Sequence, residues 1–313
     1  MICTLTLNPA IDLALATEHF VVGGTNRCSV DALDPGGKGI NASRVIYRLG
    51  RQTVAYAFAG GEMGNLLRRF LDAESVPYEF EALEEMTRID VIVYVRASGQ
   101  RSRLLLPGAS IGAEHLARMH RKLEQIPSGS TLVLGGSVPP GLPPEIYADL
   151  IERYSARGLR IVLDTSGEPL ARALEAGPLL VKPNVEEAAE ILGCSLTTQA
   201  DVIRAAFELQ RRGARSVVIS QGADGAIGVD SSGLFKVAPP AIQARSTVGS
   251  GDSMVAGMAI ALDEDLGFEA GLRLGTAAGA ATASIPGTQL CSAELVAELK
   301  PRVRVTPLVP ASF

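Results

Sequence analysis

In the run Ser246-Thr247-Val248-Gly249-Ser250-Gly251-Asp252-Ser253-Met254 a carboxylate follows three small residues and precedes an apolar helical pattern that reaches Leu262. Glycine at 249 and 251 permits positive φ. Successive amides in such a turn converge into a nest of N–H donors, and the following helix adds the positive end of its dipole. An anion drawn there would meet Asp252. A carboxylate beside a phosphate-binding nest is what deprotonating a hydroxyl for phosphoryl transfer requires. On local chemistry alone, Asp252 is as readily an N-cap on a tight glycine turn.

A second set of residues pairs glycines with a cation, in Asp34-Pro35-Gly36-Gly37-Lys38-Gly39-Ile40-Asn41. The glycines let backbone amides approach a ligand, and Lys38 would bring a mobile charge. Gly39 rather than Ser or Thr follows the lysine, so this is not a Walker A loop. Asp12 stands just beyond the Asn8-Pro9 breaker, as a site residue or as a turn aspartate. Arg88 at the foot of a hairpin and Arg103 within it could present guanidinium forks to a phosphate or simply be solvated. Asn184-x-x-Glu187 has the spacing of a capping box. Ser220-x-Gly222-x-x-Gly225 is either a ligand loop or a plain hairpin turn into Ala226–Val229.

The elements around these residues read as an α/β chain. Strands are expected at 2–7, 11–15, 27–30, 53–58, 89–95, 101–106, 132–134, 160–164, 179–181 and 216–219. Helices are expected after Asn41 as far as Gly50, over 62–74, from Pro143, from Glu168, over 184–192 and 200–212, and over 277–285. Strands alternating with helices imply a mainly parallel sheet covered by helices on both faces, with ligands at the carboxyl ends of the strands. The hairpin around 97–100 breaks that rhythm and, with the strands near Asp12 and Arg27, predicts a separate small sheet. The whole of 1–313 is expected to be one domain, with lid strands inserted at about 11–32 and 88–106. The small residues of 277–285 would suit close packing beside a purine, and the tail Arg304 to Phe313 is expected to be loosely ordered.

Composition excludes several classes. A net charge of −5 with mixed signs gives no reason to expect nucleic acid. No apolar run approaches a bilayer span, and Met1–Leu7 reads as a strand rather than a secretion signal, so a cytoplasmic protein without a membrane role is expected. Cys3, Cys28, Cys194 and Cys291 are scattered, as in a protein that keeps reduced thiols. His19, His115 and His120 lack zinc-ligand spacing.

The two glycine-rich motifs carry a family resemblance that runs from Ile2 to about Ser292. The turn at 249–252 resembles the second signature of the PfkB (ribokinase-like) sugar kinases, G-[AS]-G-D, and 36–41 resembles the first, G-G-K-G-x-N. Thr87-Arg88 is similar to the T-R pair of members that act on sugar phosphates, so the resemblance is to the hexose-phosphate branch. It implies a ribokinase-like fold with a β-lid and the use of ATP, Mg²⁺ and a monovalent K⁺. It further implies Asp252 as general base, with Gly249, Ser250 and Gly251 holding the transferred phosphoryl. Asp12, Arg27, Gly37, Lys38, Gly39, Asn41, Arg88, Arg103 and Ser137 would bind the sugar phosphate. Lys182, Asn184, Ser220, Gly222, Gly225 and Val248 would bind the nucleotide, Glu187 would order Mg²⁺, and Ser246 and Val248 would form the monovalent-cation loop. The implied reaction is phosphorylation of fructose 6-phosphate to the bisphosphate. Lys38 and Thr25-Asn26-Arg27, however, resemble the kinases of fructose 1-phosphate and tagatose 6-phosphate, which stand as alternatives. Kinases of unphosphorylated sugars or nucleosides are a more distant one, and a regulator that lost its chemistry is disfavoured by the intact Asp252. The lid strand carries Ile89, Val91 and Val93 on one alternation and Ile92 and Tyr94 on the other, which predicts a homodimer packed through the lids.

Overall fold

The computed structural model describes residues 1–309. Its first elements are β1 (Ile2–Thr6), β2 (Ala10–Thr17), β3 (Ser29–Gly36), α1 (Lys38–Arg48), β4 (Thr53–Gly60), α2 (Gly61–Ala73), β5 (Tyr78–Leu83), β6 (Arg88–Val95) and β7 (Gln100–Leu104). Then come α3 (Ala113–Leu123), β8 (Thr131–Gly135), α4 (Ile146–Ser155), β9 (Arg160–Asp164), α5 (Gly167–Leu174), β10 (Leu180–Val181), α6 (Val185–Leu192), α7 (Gln199–Arg211) and β11 (Ser216–Ser220). The chain continues through β12 (Ala226–Asp230), β13 (Gly233–Ala238), α8 (Ser250–Asp263), α9 (Phe268–Ala283), α10 (Ala293–Leu299) and β14 (Arg304–Leu308).

Ten strands form the main sheet in the order β14-β13-β12-β11-β10-β9-β8-β1-β4-β5. From β11 to β5 every neighbour is parallel, whereas β12, β13 and β14 extend the sheet antiparallel. The central strands β1 and β8 are buried along their whole length, as strands covered on both faces must be. One apolar core packs α3, α4, α5 and α7 onto one face, and a second packs α1, α8 and α9 onto the other. Helix α8 is buried almost all round between the sheet and α9. That sandwiching fixes its N-terminus over the carboxyl ends of the strands. The small sheet, in the order β3-β2-β6-β7, is the one expected as a lid, and β2 and β6 are parallel partners at its centre.

Four expectations are corrected. The strand near Arg27 runs instead from Ser29 to Gly36, so the lid extends past 32, and Pro35 is tolerated because β3 is an edge strand. The segment 304–308 is not loose: it pairs with β13 from Leu234↔Leu308 to Ala238↔Arg304. Its alternation was masked by Pro307, which an edge strand accommodates. Residues 310–313 lie outside the described part. The edge strand β5 and the penultimate strand β13 fall in stretches where the sequence pattern predicted none. Finally, the small-residue helix expected over 277–285 runs from Phe268 to Ala283, and glycines let α8 and α9 approach closely. A Cβ on Gly257 would lie 2.6 Å from the Gly275 Cα, and one on Gly279 would lie 3.0 Å from the Ser250 carbonyl oxygen.

Candidate active site

Helix α8 is entered through Gly249, whose φ of 75° makes the left-handed turn that a side chain would strain. Gly251 has ordinary helical φ and is small for another reason. A Cβ there would stand 3.3 Å from the Lys182 ammonium, which lies against the turn. Asp252 is the third helical residue and caps nothing, so the capping alternative is set aside. Its carboxylate is half-buried and accepts a 2.8 Å hydrogen bond from Asn41 Nδ2. Asn41 is oriented in turn by Arg44, which donates to its Oδ1 and is itself held by Glu74. Burial, then the Asp164 charge, raises the Asp252 carboxyl above the ordinary range, against the pull of Lys38, Asn41 and Lys182. A carboxylate so placed is a stronger base than one in water. The Ser250 hydroxyl beside it is buried with no partner among the described residues, as a donor waiting for a ligand would be.

Three charges converge next to this turn from the carboxyl ends of the strands. Asp164 ends β9, with Lys38 Nζ at 2.9 Å and Lys182 Nζ at 3.6 Å from its Oδ1. Burial alone would raise its carboxyl; Lys182 and then Lys38 outweigh that and hold it below the usual range. Its Oδ2 is buried without a partner among the described residues. Lys38, expected to be mobile, is therefore anchored. Burial would pull it down, but Asp164, Glu187 and Asp252 hold it protonated beyond an ordinary lysine. Asp164 is the candidate site residue that the sequence reading missed, although its place at a strand end was the available signal. Asn184 and Glu187 form a complete capping box, which leaves Glu187 Oε1 directed at Lys38, 3.7 Å away. Ser220 is bridged to Asn184, and Gly222 and Gly225 turn the chain by positive φ into the antiparallel β12. The loop at 220–225 is thus a hairpin turn, as one of the two readings had it, and it sits at the same sheet edge as the cap.

The lid brings the sugar-side candidates together. Asp12 on β2 is buried, and a Cβ on Gly36 would come within 2.5 Å of its Oδ1, so the glycine makes room for the carboxylate. Gly37 and Gly39 likewise let the backbone close on Thr6, whose hydroxyl accepts from the Ile40 amide. Burial, then the neighbouring Asp90, raises the Asp12 carboxyl to about 6, with Arg103 and Arg88 opposing. Arg88 donates to the Leu106 and Asn8 carbonyls and pairs with Asp90 at 3.2 Å, while its Nε is buried without a partner among the described residues. Burial lowers it below the ordinary arginine, which still leaves it charged. Arg103 is exposed on β7. Ser137 joins through Asn8, whose Nδ2 donates to its hydroxyl at 3.1 Å. Arg27 does not join. Its carbonyl accepts from Thr17, at the far end of β2 from Asp12, five residues or roughly 17 Å of extended strand away. A guanidinium cannot span that distance within one chain.

Among the described residues no cluster of three or more His, Cys, Asp or Glu is placed to hold a metal, and no helix is long and apolar enough to cross a membrane. Ser246 is buried and its hydroxyl accepts from the Val248 amide at 3.3 Å, which shapes the approach to the catalytic turn.

A base for an acceptor hydroxyl at Asp252, beside an anion nest flanked by two lysines, is the equipment of a phosphotransferase that acts on an alcohol. The chain belongs to the PfkB family of carbohydrate kinases, whose family pattern matches residues 5–295. It is 40% identical to the ATP-dependent 6-phosphofructokinase isozyme 2 of Escherichia coli over 93% of this chain and 95% of that protein. It is 35% identical to the 1-phosphofructokinase of Bacillus subtilis over 98% of this chain and the whole of the other. The crystal structure of E. coli phosphofructokinase-2 in complex with potassium superimposes with a TM-score of 0.91 at 39% identity, covering 96% of this chain and 98% of that one.

Proposed function

We propose that this protein transfers the γ-phosphoryl of ATP to a hexose phosphate in the cytoplasm, and that fructose 6-phosphate is the acceptor, giving fructose 1,6-bisphosphate. The observation that carries the reading is Asp252, half-buried, raised and held by Asn41 at the turn beside Lys182 and the Ser250 hydroxyl. In the reaction Asp252 accepts the proton of the acceptor hydroxyl while its oxygen forms the new bond to the γ-phosphorus. The bond from that phosphorus to the bridging oxygen breaks, and ADP leaves with the electron pair. The amides of 249–251 and the helix dipole meet the charge on the transferred phosphoryl, and Lys182 and Lys38 neutralise it from the sheet side. Asp12, Asn41 and Ser137 grip sugar hydroxyls, and Arg88 with Arg103 receives the phosphate already on the sugar.

Glu187 and the unpartnered oxygen of Asp164 are hard oxygen donors of the kind Mg²⁺ takes, and they are the residues that would hold it. Bound there, the ion would neutralise charge on the nucleotide phosphates. A monovalent ion would sit at Ser246 and Val248, through backbone oxygens, because the Ser246 hydroxyl is already engaged. A potassium complex of the E. coli relative supports potassium as the ion, while its place at Ser246 and Val248 remains part of this proposal. The lid leaves Val30 at 64%, Leu104 at 55% and Leu105 at 59% exposed, which supports a homodimer through this face. Ile92 and Val93, expected to need a partner, are already buried within the chain, so the edges of the lid carry the contact. An active monomer by sedimentation at micromolar concentration would remove the dimer.

Fructose 1-phosphate and tagatose 6-phosphate are the alternative acceptors, favoured by Lys38 and by the B. subtilis relative. An ADP-coupled assay against the three hexose phosphates tests the choice. The highest kcat/KM should fall to fructose 6-phosphate, and a clear preference for either of the others replaces it.

A further inference from the structure

The two edge strands of the lid are each fastened to the half of the molecule that carries the catalytic turn. On β3, Asp34 accepts a hydrogen bond from the hydroxyl of Thr288, in the loop between α9 and α10. On β7, Arg101 donates through Nη2 to the Arg245 carbonyl at 2.8 Å and through Nη1 to the Ser246 hydroxyl at 3.3 Å. Arg101 is directly paired with Tyr94 on β6, and its guanidinium lies over the Tyr94 ring, 5.4 Å from the centroid. The strand pairing and the ring restrict where the guanidinium can go. Its two acceptors belong to the segment that leads into the anion nest. The Ser246 hydroxyl that receives Arg101 also receives the Val248 amide, one residue before Gly249. The Arg245 and Ser246 amides both donate to the Ala283 carbonyl at the end of α9, so one side of the segment is fixed and the other is held by the lid.

We propose that Arg101 is a positioning residue for the catalytic turn: through Ser246 it sets the 245–248 segment and so ties the lid that holds the sugar to the nest that receives the phosphoryl. The sugar-side residues Asp12 and Arg88 lie on the two strands between the fastened edges. A lid clasped at both edges carries them to a fixed place relative to Asp252. A guanidinium suits the task because its planar fork reaches a carbonyl and a hydroxyl at once, with one face left for the aromatic ring. Neither donor is needed to pair β6 with β7, so removing the side chain leaves the hairpin itself intact.

This rests on the kinase reading, and the test separates the two by including a readout that needs no turnover. In hydrogen exchange of the ligand-free protein, Arg101→Ala should speed exchange of the 245–249 amides about tenfold or more, the response of a locally opened segment. Arg96→Ala is the control, since Arg96 is on the same hairpin but bonds only within the lid. It should leave these amides unchanged. In the coupled assay Arg101→Ala should lower kcat about tenfold, with the hexose-phosphate KM within about threefold, because the phosphate ligands remain. Arg101→Lys, which keeps a donor for the Arg245 carbonyl, should recover part of the loss. Ser246→Ala should give a similar loss, and the double variant should lose no more than the worse single one. Unchanged exchange at 245–249 in Arg101→Ala overturns the proposal whatever the activity. Additive losses in the Arg101 and Ser246 pair overturn the route through Ser246. Slowed chemistry without altered exchange assigns Arg101 to direct ligand contact instead.

Discussion

The N-terminus of α8 and the lid sheet are both built around carboxylates, yet they are constructed in opposite ways. Around Asp252 the polar groups are buried among fixed partners: Asn41 is held by Arg44, Arg44 by Glu74, and Asp164 by two lysines. Helix α8 behind them has no solvent-facing side from Ser253 to Ala261. In the lid, β7 is exposed along its length and β3 over half of its own, and most of the buried residues lie on the central strands. A group that transfers a proton gains from a rigid dry setting, in which charge is held without reorganisation. A group that must admit and release a substrate has to sit on an element that opens at low cost. On the proposed function, the difference matches chemistry at the helix end and recognition in the lid.

Substitutions can break that division, and the largest effect belongs to the helix end. Asp252→Asn should keep the fold and lower kcat by ~10²–10⁴, the usual worth of a positioned base. Calorimetric binding of ATP and sugar phosphate should stay close to wild type; retention of more than about a tenth of the activity would show that Asp252 is not the base. In the lid, Arg88→Ala should raise the KM for sugar phosphate at least about tenfold, since removing one partner of a desolvated charge pair costs ~2–5 kcal/mol. The KM for ATP should hold within about twofold if the two regions are energetically separate. A parallel rise in both would merge them into one site.

Asp12→Asn sharpens the contrast by moving stability and activity in opposite directions. The folded-state carboxyl is raised to about 6, so between its ordinary value and that point the folded protein holds a proton that the unfolded chain has released. Stability therefore rises as pH falls through this window, and above it the buried charge is a standing cost. Removing the charge should stabilise the protein by about 1–3 kcal/mol at pH 7.5 while weakening sugar binding. The gain, read from urea midpoints, should shrink below pH 6 and approach zero only under the ordinary carboxylate value, at about pH 3.5. An equal gain at the high and the low pH would mean that the effect is not due to the charge.

The helix end was the more legible of the two regions, because its residues are close in sequence. Gly249, Ser250, Gly251 and Asp252 form one continuous turn, and Asn184 with Glu187 sit one helical turn apart. The alternation of strands and helices was similarly local, and it led to a mainly parallel sheet. What the sequence concealed was made by distance. Asp164 looks like the last residue of an ordinary strand until the fold sets it beside Lys38, 126 residues away, and Lys182. Arg101 meets Ser246 across 145 residues. Lys38 was read as mobile because the acid that anchors it was invisible. The outer strands β5, β13 and β14 escaped because exposed positions and, at 307, a proline blur the alternation that marks a strand.

The division of labour is tested most directly by whether the lid demands a phosphate on the sugar. The measurement is the ratio of kcat/KM for fructose 6-phosphate to that for fructose, in the wild-type protein and in Arg88→Ala. A desolvated charge pair worth ~2–5 kcal/mol predicts a wild-type ratio of at least about thirtyfold, and Arg88→Ala should remove most of it while fructose itself is turned over nearly as before. A ratio near one in the wild type, or a large ratio that survives the loss of Arg88, would contradict the assignment of recognition to the lid.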